Sequence, residues 1–270
     1  SIFNYQTIDV ALHKETRNLT IKFKNEFLNF ETLFELESIL AWTTGKIEIK
    51  SILLTSIYQC FNKGHDESSL KYMSTEKLKK FTQKLKKINY ALHCMPQTTI
   101  CDLNLGASNT ALELATSCDI RLAHEQTKLN FNHTLIGLVP SSGGISTLGE
   151  IVGHGNAKSW ILSALPIEKD QLQSAGFIFK FYKQQTKDKT LKTLLVSIHA
   201  QSDVNRIQTK LGLTEAYRNK MEELGDFATK LSNGAMASED WKNENEESLP
   251  AKHFSTAVKL SLVKSDNEHS

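Results

Sequence analysis

Residues 95–144 constrain the fold of this chain more than any other stretch. They open on Met95-Pro96 and the run Thr99-Ile100-Cys101-Asp102-Leu103, short and apolar enough for a buried strand. Small residues follow at 106–110, then a helical segment carrying Glu113, then a second short strand around Cys118-Asp119-Ile120-Arg121-Leu122. A loop through His133 reaches Pro140-Ser141-Ser142-Gly143-Gly144, which starts another helix. Strand, turn, helix, strand, loop and helix in one short stretch leave room for little except a crossover α/β arrangement with a mostly parallel sheet.

The flanking sequence extends that reading. Leu19, Ile21 and Phe23 alternate with Thr20, Lys22 and Lys24, the period-two pattern of a half-buried strand. Strands are expected at 3–10, 19–24, 49–56 and 177–181, and helices at 30–42, 75–93, 144–153, 157–165 and 169–175. From about residue 189 the pattern is helical only, with 239–249 acidic and polar and 264–270 frayed. The expected organisation is a core over 1–188 and a C-terminal helical region with a polar tail over 189–270.

A net charge of +2, with arginines only at 17, 121, 206 and 218, argues against a nucleic-acid or membrane surface. No apolar run is long enough to span a bilayer, and the first residues show no secretory leader. Cys60, Cys94, Cys101 and Cys118 lack metal-type spacing and are expected to be reduced. A cytoplasmic protein without a metal is the expectation.

The chemistry-bearing positions begin with the 106–113 turn. Backbone N–H groups at a helix start attract developing negative charge, as on a thioester enolate oxygen. Thr110-Ala111-Leu112-Glu113 also matches a capping box, in which Glu113 only closes the first turn of its helix. His133 has an equally plain reading as a loop histidine. No Gly-x-Ser-x-Gly turn marks a nucleophilic serine. The residues alone leave these alternatives open.

The order of the motifs resembles the crotonase (enoyl-CoA hydratase/isomerase) superfamily. The pattern Phe-x-x-Gly-Ala-Asp of that family is matched by Phe61-Asn62-Lys63-Gly64-His65-Asp66, and Cys-Glu-Leu-Ala-x-x-Cys-Asp-Ile-Arg by Leu112-Glu113-Leu114-Ala115-Thr116-Ser117-Cys118-Asp119-Ile120-Arg121. Gly-Ile-x-Pro-Gly-x-Gly-Gly is matched by Gly137-Leu138-Val139-Pro140-Ser141-Ser142-Gly143-Gly144. The resemblance covers roughly residues 3–180 and is specific from 60 to 178. It implies a spiral of ββα units with a C-terminal helical region, packed as a homotrimer or dimer of trimers.

The implied activity is that of an acyl-CoA enzyme of hydratase/isomerase type, a lyase or isomerase of fatty acid metabolism. Coenzyme A enters as part of the substrate, with no separate cofactor. By resemblance the backbone N–H groups of His65 and Thr110 form the oxyanion hole, and Glu113 and His133 are the catalytic pair. CoA contacts are implied at Gly64, His65, Asp66, Glu67, Ser68 and Thr110.

Three departures bear on the reaction. The second catalytic carboxylate of the family falls at His133. The glycine triplet before the first becomes Asn109-Thr110-Ala111, which adds a Cβ at each position and forgoes the φ freedom of glycine. His65 replaces a small residue; its side chain could face CoA, and its backbone N–H remains available. Decarboxylation, thioester hydrolysis or catalytically impaired acyl-CoA binding are the alternatives these changes open.

Overall fold

The structure, a computed structural model, describes residues 3–243; the polar tail expected at 264–270 and most of that at 239–249 lie outside these residues. β1 (Ile8–His13) and β2 (Asn18–Phe23) form an antiparallel hairpin turned at Arg17, which has φ +51°. α1 (Phe30–Thr44) follows, capped by the Asn29 side chain, which accepts from Thr32 N–H at 2.8 Å. β3 (Ser51–Ser56) pairs parallel to β2. After it come a short helix α2 (Glu67–Leu70) and the long α3 (Thr75–Cys94). In α3, Leu78, Phe81, Leu85, Ile88 and Leu92 form the buried stripe, and lysines occupy the outer face.

β4 (Thr98–Asp102) enters the large sheet beside β3, and β5 (Gly106–Ser108) leaves it for a second, small layer. α4 (Asn109–Thr116) then returns the chain to β6 (Ile120–His124), which pairs with β4, and β7 (Lys128–Asn130) pairs parallel to β5. Single bridges from Asn62 to Ala107 and from Leu129 to Ile167 widen the small layer on both sides. β1 and β2 both lie in the large sheet, and from β3 onward successive turns of chain place one stretch in each layer and then a helix, which is the expected spiral of ββα units. A 3₁₀ turn at His133–Ile136, α5 (Gly144–Val152), α6 (His154–Ser163), α7 (Lys169–Ser174) and β8 (Lys180–Tyr182) complete this part. The large sheet has the order β1-β2-β3-β4-β6-β8 and is parallel from β2 onward.

α8 (Lys187–His199) covers one face of that sheet, with Leu191, Leu194, Leu195 and Ile198 packed on Leu53, Ile100, Leu122 and Tyr182. α9 (Asp203–Ala235) runs along α3 and α5. It is tied down by Arg206, which donates to Pro96 O at 2.8 Å, and by Lys210, which donates to Gln97 O at 2.7 Å. After α9, Met236 and Trp241 fold back onto Leu70, Leu78, Ile136 and Leu138. Among the described residues no helix is long and apolar enough to cross a membrane.

Two sequence expectations shift. The first strand begins at Ile8 rather than residue 3, because Phe3 and Tyr5 stack on each other and Phe3 meets Trp42 edge-on. The strand expected at 177–181 begins at Lys180, because Phe177 is consumed as a core plug against Phe131 and Trp160.

Candidate active site

The Glu113 side chain does not close its own helix. The N-cap of α4 is Ser108, with no side-chain cap bond, and Thr110 lies inside the helix, so the capping box suggested by the sequence is absent. Glu113 instead reaches across to the start of α5. Its Oε1 accepts from Ser142 N–H at 2.8 Å and Gly144 N–H at 3.0 Å, where the helix presents unpaired donors to negative charge. A Cβ at Gly144 would lie 2.7 Å from Pro140 Cβ and 3.4 Å from that Oε1, so glycine lets α5 come this close.

Glu113 Oε2 lies 3.1 Å from His133 Nε2. An ionised carboxylate only accepts, so Nε2 carries the proton of that bond, and in a neutral ring Nδ1 is then a lone-pair acceptor. Nδ1 has no partner among the described residues. Both side chains are only 1% exposed. The expected pair is therefore together, sealed from solvent and already hydrogen-bonded.

His65 and Thr110 also converge. The His65 loop is shaped by Asn62, whose Oδ1 accepts from Gly64 N–H at 2.8 Å, and by Gly64 itself at φ +76°. It is pinned by Lys63 N–H to Glu26 O and Leu28 N–H to Gly64 O, both 2.7 Å. The loop aims His65 N–H at a point that Thr110 N–H reaches from α4. The side-chain oxygen of Asn109 occupies that point, 2.9 Å from His65 N and 2.7 Å from Thr110 N. Asn109 has φ +35°, so the left-handed conformation expected to be lost with glycine is kept here by asparagine, which tolerates it. Asn109 and Glu113 are four residues apart on α4, on one face and separated by roughly 6 Å of helix rise.

The His65 ring is buried against Phe81, with centroids 4.5 Å apart, and borders a cleft of about 740 Å³ also lined by Phe27, Phe30, Tyr58, Asp66 and Lys77. Asp66 caps α2, accepting from Ser68 N–H at 3.1 Å, and the Ser69 and Ser68 hydroxyls hold its carboxyl below the usual range. Glu67 and Ser68 border a separate hollow of about 170 Å³ beside Trp241. Of the expected CoA contacts, His65 and Asp66 thus reach the cleft, Gly64 and Thr110 lie buried at the convergent donors, and Glu67 and Ser68 face elsewhere. The role of the Asn109 side chain was missed from sequence, although an asparagine replacing glycine beside an expected oxyanion donor was the signal for it.

Burial, with the nearby His133 adding to it, pushes the His65 imidazole down to about 3. His93, buried beneath α9 near Lys210 and Arg121, is likewise down to about 3. Each ring is neutral in the folded chain but protonates near 6.5 once unfolded, so the unfolded state binds more protons between those values. The stability these histidines contribute is complete above pH 6.5 and falls as the pH drops toward 3. The slope should approach about 1.4 kcal/mol per pH unit for each ring. Urea midpoints measured across this range should show it, and His93→Leu should remove about half of it. An unchanged slope in that variant would take His93 out of the account.

A ββα spiral that sets two convergent amide donors one helical turn from a buried carboxylate defines a protein of the crotonase class. The chain belongs to the enoyl-CoA hydratase/isomerase family, whose model matches residues 18–251. It is similar to the short-chain-enoyl-CoA hydratase of Clostridium acetobutylicum, with 25% identity over 217 residues, 80% of this chain and 83% of that protein. It is also similar to the human ethylmalonyl-CoA decarboxylase, with 25% identity over 72% of this chain and 65% of that protein. In fold it matches the crystal structure of an enoyl-CoA hydratase from Bacillus halodurans, with a TM-score of 0.81 at 17% identity over 88% of this chain and 98% of that one.

Proposed function

We infer that the chain is an acyl-CoA enzyme acting through a thioester enolate, with double-bond isomerisation as the reaction its groups fit best. The observation that carries this reading is the convergence of His65 N–H and Thr110 N–H on a single carbonyl oxygen, at 2.9 and 2.7 Å, with Glu113 one turn along the same helix. Two such donors stabilise developing oxyanion charge by several kcal/mol, about 3 per donor. The 740 Å³ cleft beside His65 has aromatic walls for the CoA moiety, and Lys77 at its edge suits a phosphate.

Isomerisation needs one base. Glu113 takes a proton from the α-carbon of a 3-enoyl thioester, the electron pair moves into the thioester oxygen held by the two N–H groups, and the same carboxyl returns the proton to the γ-carbon. The product is the 2-enoyl thioester, and nothing is gained or lost. His133 holds Glu113 Oε2 and keeps the carboxyl aimed during both transfers. Hydration asks more, because two side chains must grip a water, and here both oxygens of Glu113 are engaged by protein groups. The same engagement favours, as the second reading, an acyl-CoA binder with impaired catalysis. A trimeric assembly is part of the proposal and is supported by apolar side chains left exposed on α6 and α9, among them Leu162, Phe227 and Leu231.

The test is calorimetric titration with a panel of acyl-CoA thioesters, followed by turnover of 2-enoyl, 3-enoyl and malonyl-type substrates. Conversion of the 3-enoyl compound is the expected result. Binding without any turnover would favour the second reading, and no binding at all would remove both.

A further inference from the structure

The oxygen that marks the convergence of the two donors belongs to the protein. Asn109 Oδ1 accepts from His65 N–H at 2.9 Å, from Thr110 N–H at 2.7 Å and from the Thr110 hydroxyl at 3.1 Å. Its identity as oxygen follows from chemistry, since the two facing amides only donate. The other end of the carboxamide is held less closely, with Nδ2 3.3 Å from Lys63 O and 3.4 Å from Asn132 Oδ1. Asn109 is 1% exposed, and a Cβ on Gly64 would sit 1.8 Å from its oxygen. Loop and side chain are thus shaped around each other.

We propose that Asn109 is a specificity-determining gate of the thioester site: its carboxamide is an internal stand-in for the substrate carbonyl, and an acyl-CoA binds by displacing it. The proposal rests on the acyl-CoA reading above. A ligand gains only what its oxygen offers beyond that of an amide. A resting thioester carbonyl is a weaker acceptor than an amide carbonyl, whereas an oxygen carrying negative charge is a much stronger one. The gate therefore works against the ground state and yields to the enolate, so it raises KM more than it limits the reacting complex. The apparent affinity for a neutral thioester is reduced by the fraction of molecules in which Asn109 has already turned away.

Asn109→Gly is the informative variant, because glycine accepts φ +35° and removes the competing oxygen. Asn109→Asp is its counterpart, placing a stronger acceptor before the same donors. The probes are butyryl-CoA and its thioether analogue, in which a CH₂ replaces the carbonyl. In the wild-type chain the two should bind about equally. In Asn109→Gly the thioester should bind tighter than the thioether by on the order of 10-fold or more, and Asn109→Asp should show no such gain. Equal thioester-to-thioether ratios in the wild type and Asn109→Gly would overturn the proposal.

A ligand-free readout separates this from failure of the acyl-CoA reading. The His65 and Thr110 amides should exchange hydrogen slowly in the wild type and on the order of 10-fold faster in Asn109→Gly. That result supports Asn109 as the occupant even if no CoA compound binds any variant, in which case it is the acyl-CoA reading that fails. Equal exchange rates in the two proteins would overturn the occupancy itself.

Discussion

Glu113→Gln should leave the fold standing and lower turnover of a 3-enoyl-CoA by on the order of 10²- to 10⁴-fold, the range a positioned acid–base group supplies. The substitution separates structure from chemistry because glutamine preserves the shape. Its side-chain oxygen still accepts from Ser142 and Gly144 N–H, so the tie between α4 and α5 survives. Its NH₂ then faces His133 Nε2, and the imidazole must adopt the other tautomer to accept from it. That adjustment costs about 1 kcal/mol, measurable as a small drop in the urea midpoint. Glu113→Leu, in contrast, strands two buried N–H groups and an imidazole, and should cost about 3–5 kcal/mol. If Glu113→Gln keeps the wild-type kcat, the carboxylate is a strut between two helices and carries no proton.

The second large effect lies away from the site. Asp102→Ala should destabilise the chain by about 3–5 kcal/mol, the range for removing one partner of a buried charge pair. The Asp102 carboxylate is fully buried at the end of β4 and accepts from Lys187 Nζ at 2.8 Å and from the Thr55 hydroxyl at 3.1 Å. The Tyr182 hydroxyl donates to the same carboxylate, and burial together with the charge on Asp102 pushes that phenol far above its usual range. Three elements, β3, β8 and the start of α8, are joined through this one side chain. Without it the Lys187 ammonium, 20% exposed, loses its counter-charge, and Tyr182 loses its acceptor. Urea unfolding measures the loss. A change under about 1 kcal/mol would mean that water enters and replaces the carboxylate.

Much of this was legible in the residues, for identifiable reasons. The 3.6-residue stripe of α3 and the alternation in β2 are direct records of which face meets the core. The motif order also located Glu113 and His133, which the structure joins at 3.1 Å. Other features depend on contacts distant in sequence. Phe3, Tyr5 and Phe177 looked like strand residues because apolar content marks burial, and burial here is achieved by loops packing aromatic rings. The capping box at Thr110 and Glu113 failed because a carboxylate three residues into a helix has two sets of orphan donors within reach. The donors of α5, 29 and 31 residues further on, won. Asp102 gave no warning, since a single acid in a short strand does not reveal that Lys187 and Tyr182 will arrive about 80 residues later.

All eight residues of α4 are buried, from Asn109 to Thr116. A helix enclosed on every side has no free surface along which to slide or tilt, and moving it means unpacking the centre of the molecule. The Thr110 N–H and the carboxylate of Glu113 therefore sit on a fixed floor. Any adjustment to the size of a ligand falls to the walls: the Gly64 loop on one side, and the His133 turn backed by Trp241 on the other. In the proposed acyl-CoA reading, acyl chains of different shape would then be sorted at these two loops, while the distance between the Thr110 N–H and the Glu113 carboxylate stays constant.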